Sequence, residues 1–204
     1  MIKKLEPRHN MNHAPLGVWE DFFTEEELNI ILALPEWHKQ SQGKVGAGEN
    51  NENMDKIRKS NISWLETSEK NAFIYNKLSE VVTRVNNELF QFDLTGFYEH
   101  AQLTTYTESD KGHYNWHVDA HSSKNPTAFL SAPRKLSMTL LLSDPSEFEG
   151  GELQLKPDSD EPYTVEQKRG RAWFFPSYML HRVTPVTRGV RRSLVLWVGG
   201  PSFK

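Results

Sequence analysis

Three residues of this 204-residue sequence have the types and spacing to hold a metal ion: His117 and Asp119 in W-H-V-D, and His181 in Y-M-L-H-R-V-T-P-V. Side chains at i and i+2 of a β-strand project to one face, so a strand through His117 and Asp119 sets an imidazole beside a carboxylate. A second imidazole from a distant strand completes two nitrogens and one oxygen on one side of an ion. The other side is then open to exogenous ligands, the facial arrangement that suits Fe(II) working with oxygen. Ten residues past His181, Arg191 opens an apolar strand in R-G-V-R-R-S-L-V-L-W. A buried, permanently charged fork at that place can grip a dicarboxylate through two hydrogen bonds. H-x-D alone recurs often by chance. Its company is specific: His181 sits between F-F-P and V-T-P-V, and Arg191 follows on an apolar run.

The elements that must position these groups fall into two halves. Thr24 followed by Glu27 forms a capping box, with Phe23 and Leu28 placed as a hydrophobic staple, so a helix starts there and ends at Pro35. A second helix spans about 68–90, where Ile74, Leu78, Val81, Val82, Val85 and Leu89 repeat at helical spacing. Between them the polar, Gly- and Asn-rich segment 40–56 is a surface loop or a lid over bound substrate. From Leu94 onward, short runs separated by turn signals predict strands near 97–106, 116–120, 135–143, 151–155, 163–166, 171–175, 181–186 and 191–198. The expected fold is mainly β with flanking helices, an α+β chain. Residues 1–93 form a helical N-terminal support, and 94–200 a double-stranded β-helix (jelly-roll) core with the site at its mouth.

Composition narrows the class further. A 37% hydrophobic and 25% charged content describes a globular chain with a real core. The net charge of −3 gives no global attraction to nucleic acid or anionic membrane. Without cysteine, no disulfide supports the fold and no thiolate joins a metal site. The N-terminus lacks an apolar signal core and no apolar run reaches the length of a membrane span, so a cytoplasmic location is expected.

Three stretches together, W-H-V-D, F-E-G-G-E-L and F-F-P-S-Y-M-L-H-R-V-T-P-V-T-R-G-V-R-R-S, resemble the 2-oxoglutarate- and Fe(II)-dependent oxygenases of the prolyl 4-hydroxylase group. Among these the likeness is to the small bacterial and phage PKHD-type hydroxylases, and it covers roughly residues 58–200, including the upstream I-R-K-S-N-I-S-W-L. The resemblance implies a single dioxygenase domain over 1–204 with His117, Asp119 and His181 as iron ligands. It implies Arg191 on the distal carboxylate of 2-oxoglutarate, Ser193 as a second donor on the same strand face, and Tyr106 in contact with the cosubstrate. Trp197 resembles an aromatic that lines the pocket near the metal, and Arg134 an arginine on the substrate side. Some relatives place a tyrosine on the strand that follows Arg134; here Ser137 and Thr139 offer the hydroxyls. Arg58 is a further candidate to face substrate, from beneath the segment 40–56.

The implied reaction is hydroxylation of a C–H bond in a prolyl residue of a peptide or protein, or in a free amino acid. Its cofactors are Fe(II), 2-oxoglutarate and O2, its co-products succinate and carbon dioxide, with ascorbate a candidate reductant. Such chemistry asks the protein to position and to exclude water, so no catalytic residue is expected beyond the metal centre. Two other functions fit the residues less well. A nucleic-acid demethylase of similar triad carries a second arginine six residues past the clamp and a basic lid; here that position is Trp197, and 40–56 holds three acidic residues against two lysines. A non-enzymatic barrel for metal or sugar has no need of both an open metal face and a buried anion clamp. His121, two residues past Asp119, is either a loop residue or a further group near the metal. Trp116, Trp173, Phe174 and Phe175 are expected in the core; Lys168, Arg169 and Arg171 in a solvated turn; and Arg182, Arg188 and Arg192 facing outward.

Overall fold

The capping box starts the first helix where the sequence places it: Thr24 Oγ1 accepts from the Glu27 N–H and Glu27 Oε2 from the Thr24 N–H, opening α1 (Glu25–Leu32). The computed structural model describes residues 16–43, 55–120, 132–157 and 161–201. Most of the candidate lid, and His121, therefore lie outside the described residues. Pro35 opens a 3-10 turn (Pro35–Lys39) that closes off α1, since its ring cannot continue the helix. The second helix, α2 (Ala72–Val85), is entered through a 3-10 turn at Glu69–Asn71 and runs on into a π turn at Asn86–Phe90. It buries Ile74, Leu78, Val81, Val82 and Val85.

Thirteen strands are present among the described residues. The N-terminal half supplies β1 (Gly17–Trp19), β2 (Ser41–Gln42), β3 (Arg58–Lys59) and β4 (Asn61–Leu65). The second half supplies β5 (Ala101–Thr107), β6 (His113–His117), β7 (Arg134–Leu141), β8 (Phe148–Gly150), β9 (Leu153–Lys156), β10 (Tyr163–Thr164), β11 (Ala172–Pro176), β12 (Leu180–Val183) and β13 (Val186–Gly199). They form an eight-stranded sheet in the order β1-β11-β7-β13-β5-β4-β2, with β8 also on β13, and a five-stranded sheet in the order β10-β9-β12-β6-β3. This is the helix-supported, mainly β jelly-roll that the strand pattern predicts.

Two differences from the sequence reading have simple causes. Residues 1–93 are more than a helical support, because β1 to β4 extend both sheets; runs of two to five residues in polar surroundings leave too little pattern to read. No break separates 186 from 191, where the sequence reading ends one strand and begins another: Gly189 takes a φ of +75° within β13, which stays paired with β8 and β5 and runs over fourteen residues.

Packing divides along the same strands. On the outer face of the large sheet, Leu103, Leu136, Met138, Leu140, Phe174, Leu194, Leu196 and Val198 meet the apolar faces of α1 and α2 in one buried cluster. A smaller cluster, including Tyr106, Leu153, Leu155, Phe175, Val183 and Val186, lies between the sheets. The alternate residues of β5 and β13 therefore point inward: Gln102, Thr104 and Tyr106, and Arg191, Ser193, Val195 and Trp197 all line one cavity. Among the described residues no helix is long and apolar enough to cross a membrane.

Candidate functional site

His117 and His181 are direct cross-strand partners in the antiparallel β6–β12 pair, so their imidazoles meet with ring centroids 4.1 Å apart. Asp119 comes from just past the end of β6 rather than from the strand itself. The Asp119 and Ala120 N–H groups both donate to the Ser177 carbonyl, each at 2.8 Å, and this anchor turns the carboxylate back toward the histidines. Asp119 Oδ1 lies 3.7 Å from His117 Nε2, and Asp119 Oδ2 lies 3.5 Å from His181 Nε2. One donor atom from each residue falls within 4.8 Å of the others, so the three can hold a metal ion.

The surrounding groups decide which ring nitrogens are free to face an ion. His117 Nδ1 is 2.7 Å from the Asn115 carbonyl and His181 Nδ1 is 2.9 Å from the Met179 carbonyl, so both Nδ1 atoms carry the proton and both Nε2 lone pairs are free. The Ser137 hydroxyl donates to Asp119 Oδ2 at 2.8 Å and is itself 2.9 Å from Ser177 Oγ. Burial holds the His117 imidazole down to about 3, helped by the neighbouring His181, so it stays neutral at physiological pH. Burial works in the opposite sense on Asp119, but the two imidazoles and the Trp197 indole N–H outweigh it and keep the carboxyl below its ordinary range. A neutral imidazole at His117 and an ionised carboxylate at Asp119 are the protonation states a divalent ion needs of these two groups. The residues fit an Fe(II) ion.

Arg191 shares this cavity from the opposite sheet. It is 4% exposed, pairs across β13–β5 with Tyr106, and its guanidinium lies 5.6 Å from that ring. Its Nη1 donates to Ser193 Oγ at 3.3 Å, and no carboxylate pairs with it among the described residues. Among the polar atoms of the cavity wall, Arg191 Nε and Thr104 Oγ1 are buried without a hydrogen-bond partner. Orphaned donors around an unpaired buried cation make a place for an anion. The E-G-G-E run proves to be part of this clamp. Gly151, at φ +60°, packs so that a Cβ would stand 2.7 Å from Arg191 Cδ, and at Gly150 one would stand 2.2 Å from the Pro185 carbonyl oxygen. The same run is laced to V-T-P-V: the Gly151 N–H donates to the Pro185 carbonyl, and Thr184 Oγ1 accepts from the Glu152 N–H.

His117, Asp119, His181, Tyr106, Arg191, Ser193, Trp197 and Arg58 all line the one cavity. Arg134 is not among its lining residues: it forms a two-pronged ion pair with Glu99 and stacks 3.8 Å from the Trp197 ring, so it reaches the site through that indole. Ser137 buttresses Asp119 and Thr139 lines the cavity. Tyr114 was missed. Its ring stacks on His117 with centroids 3.4 Å apart because a register shift in the β6–β12 pairing brings residues three apart to one side, and period-two reasoning separates them. Gln102 and Thr104 were missed because polar alternation on a strand ordinarily marks a solvent face.

The remaining expectations need correction in three places. Trp116 is half-buried between Lys156 and Arg182, 5.3 and 4.6 Å from its ring, and not in a core cluster; Arg182 is accordingly part-buried, bonded to Gln154. Trp173 is partly buried against the inter-sheet cluster, whereas Phe174 and Phe175 are core. Arg171 is 12% exposed and ion-paired with Glu20 and Glu166, so the 168–171 turn is a bridged one.

Comparison with known proteins agrees with this geometry. Residues 101–199 match the 2OG-Fe(II) oxygenase superfamily. A PKHD-type hydroxylase of Janthinobacterium sp. (strain Marseille) is 41% identical over 86 residues, 42% of this chain and 38% of that protein. One from Synechococcus sp. (strain CC9311) is 39% identical over 100 residues, 48% of this chain and 41% of that protein. The chain thus matches well under half the length of these curated relatives. Among solved structures, a Pseudomonas putida prolyl-4-hydroxylase superposes with a TM-score of 0.69 at 18% identity, over 92% of this chain and 94% of that one. A Trichoplax adhaerens prolyl hydroxylase, in complex with a hypoxia inducible factor peptide fragment, gives 0.73 at 18% identity, over 93% and 84%. The sequence match thus falls on residues 101–199, just under half of the chain, and the fold shared with these prolyl hydroxylase structures extends over more than nine-tenths of it.

Proposed function

We propose that this protein is a dioxygenase that hydroxylates an aliphatic C–H bond, with a prolyl group as the leading substrate class. The observation that carries the reading is one cavity holding both a metal-competent triad and a buried guanidinium without a carboxylate partner among the described residues. His117, Asp119 and His181 would hold Fe(II), and Arg191 with Ser193, Tyr106 and Thr104 would receive the far carboxylate of 2-oxoglutarate. Together Fe(II), 2-oxoglutarate and O2 would supply the oxidising chemistry, one oxygen atom of O2 entering the C–H bond and the other the succinate that is left with carbon dioxide. The chain's own contribution is placement. The two sheets fix the anion clamp and the ligands on opposite walls, so a dicarboxylate bound between them has its orientation set before substrate enters. Leu153, Phe175, Val183 and Val195 line the cavity between these polar groups and keep water out. Arg134, locked by Glu99, holds the Trp197 indole against the cavity, where it would face substrate. The prolyl assignment is supported by the likeness in fold to prolyl hydroxylases, one of which was solved with a peptide.

The test is an anaerobic titration of Fe(II)-loaded protein with 2-oxoglutarate, followed by its visible charge-transfer absorption. A band should appear in the parent, vanish in His181→Ala, and require at least about tenfold more 2-oxoglutarate in Arg191→Met, as loss of a charged hydrogen-bonding partner predicts. Succinate release on adding prolyl peptides or L-proline then tests the substrate class. A parent that binds Fe(II) but never develops the band is a metal-binding barrel and not an oxygenase.

A further inference from the structure

Arg58 is a second guanidinium buried in the same cavity, and the proposed cosubstrate leaves it without a counter-ion. It is 6% exposed on β3, directly opposite Tyr114 across the β3–β6 pair. Its Nε donates to Ser60 Oγ at 2.7 Å and its Nη2 to Gln102 Oε1 at 2.9 Å, both neutral acceptors. Its Cζ lies 4.6 Å from the Tyr114 ring, which in turn stacks on His117. The charge therefore sits one aromatic ring away from a metal ligand. On the far side Gly43 closes over it: a Cβ there would come within 2.7 Å of Arg58 Nε, and the Gly43 N–H is tied to the Ser60 carbonyl. No carboxylate pairs with Arg58 among the described residues. Neutral partners orient a guanidinium without neutralising it, and an uncompensated buried charge is costly.

Resting on the function proposed above, we propose that Arg58 receives an anionic group of the substrate, so that the preferred substrate presents a free carboxylate close to the C–H bond that reacts. In the proposed reading the two carboxylates of 2-oxoglutarate are already engaged, one at the metal and one at Arg191. A third anion is what the second guanidinium calls for. A free amino acid or the C-terminal residue of a peptide has that carboxylate beside its ring or side chain; an interior residue of a chain carries an amide there. Gln102, bonded to Nη2, acts as a positioning residue for Arg58.

The probes are L-proline, the other L-amino acids and Gly-L-proline, each paired with its C-terminal amide. Binding is measured by anaerobic calorimetry on the full chain loaded with Fe(II) and saturated with 2-oxoglutarate. At least one acid should bind about tenfold or more tightly than its amide, the difference a charged hydrogen bond makes. Arg58→Gln should abolish that preference, Arg58→Lys should restore part of it, and the 2-oxoglutarate charge-transfer band should persist in both. Gln102→Met, which leaves the charge in place, should weaken the preference without removing it. Equal binding of acids and amides, no binding by any acid, or loss of the 2-oxoglutarate band in Arg58→Gln and Arg58→Lys would each overturn the inference. A parent that never forms the band refutes the function on which it rests instead.

Discussion

Ser137 and Gly151 show how much of the site depends on residues that touch no ligand. Ser137 donates to Asp119 Oδ2, which fixes the carboxylate and leaves Oδ1 and the remaining lone pairs to an ion. Ser137→Ala should lower Fe(II) or Mn(II) affinity by about 10–100-fold with little change in folding, read by metal competition titration. Gly151 acts on the other wall. At φ +60° any side chain is strained, and a Cβ would press on Arg191 Cδ. Gly151→Ala should therefore cost roughly 1–3 kcal/mol in stability and weaken 2-oxoglutarate binding about tenfold while metal affinity holds. Paired titrations of metal and cosubstrate separate the two effects. Ser137 was legible only as a hydroxyl near the clamp, because its real partner, Asp119, reaches it through a turn that no periodicity describes.

Elements carry the next layer, and β13 is the clearest case. Its inward residues Arg191, Ser193, Val195 and Trp197 build one wall of the cavity while Leu194, Leu196 and Val198 bury against the helices. One strand thus joins site to core, and its period-two pattern was readable. The edge strands were not readable. β1 is stitched to the turn before β11 by Glu20, which accepts from Lys168 Nζ at 2.8 Å and pairs with Arg171 at 2.7 Å. The Lys168 hydrogen bond, opposed by slight burial and aided by Arg171, holds the Glu20 carboxyl below its usual value. A depressed folded value stabilises above the unfolded one and is lost as pH falls through the folded value. Glu20→Gln should therefore cost less than about 1 kcal/mol at neutral pH, since the pair is half exposed, and the gap from the parent should close in acid. Urea denaturation at pH 7 and at about pH 3 measures both limbs.

Across the fold, the two sheets divide the labour. The five-stranded sheet and the turn beyond β6 carry the triad, and the eight-stranded sheet carries the clamp. A ligand that bridges metal and Arg191 then staples one sheet to the other. Fe(II) with 2-oxoglutarate together should raise the melting temperature more than either alone; at a hundred times the dissociation constant the gain is about 2.7 kcal/mol per ligand. Arg191→Met should keep the Fe(II) increment and cut the 2-oxoglutarate increment by about half or more, and a chelator should erase the Fe(II) increment. Thermal denaturation with each ligand combination reads this directly.

Much of this was open to inspection in the chain of letters: the capped helix at Thr24, the amphipathic face from Ile74 to Val85, the second-half strands, the three donors and Arg191. These follow from local rules, namely side-chain spacing and the chemistry of each residue type, and local rules survive any packing. What needed the folded chain was which polar residues face inward. Gln102 and Thr104 obey the alternation of a half-solvated strand, yet the face they share is closed by a second sheet. A period of two reports that a strand has two faces; it does not say whether the polar face meets water or a ligand. The stacking of Tyr114 on His117, the approach of Gly151 to Arg191 and the burial of Arg58 beside Gln102 likewise join residues far apart in sequence or out of phase on a strand. Their contacts arise where the sheets close on each other, and no spacing within either strand encodes that closure.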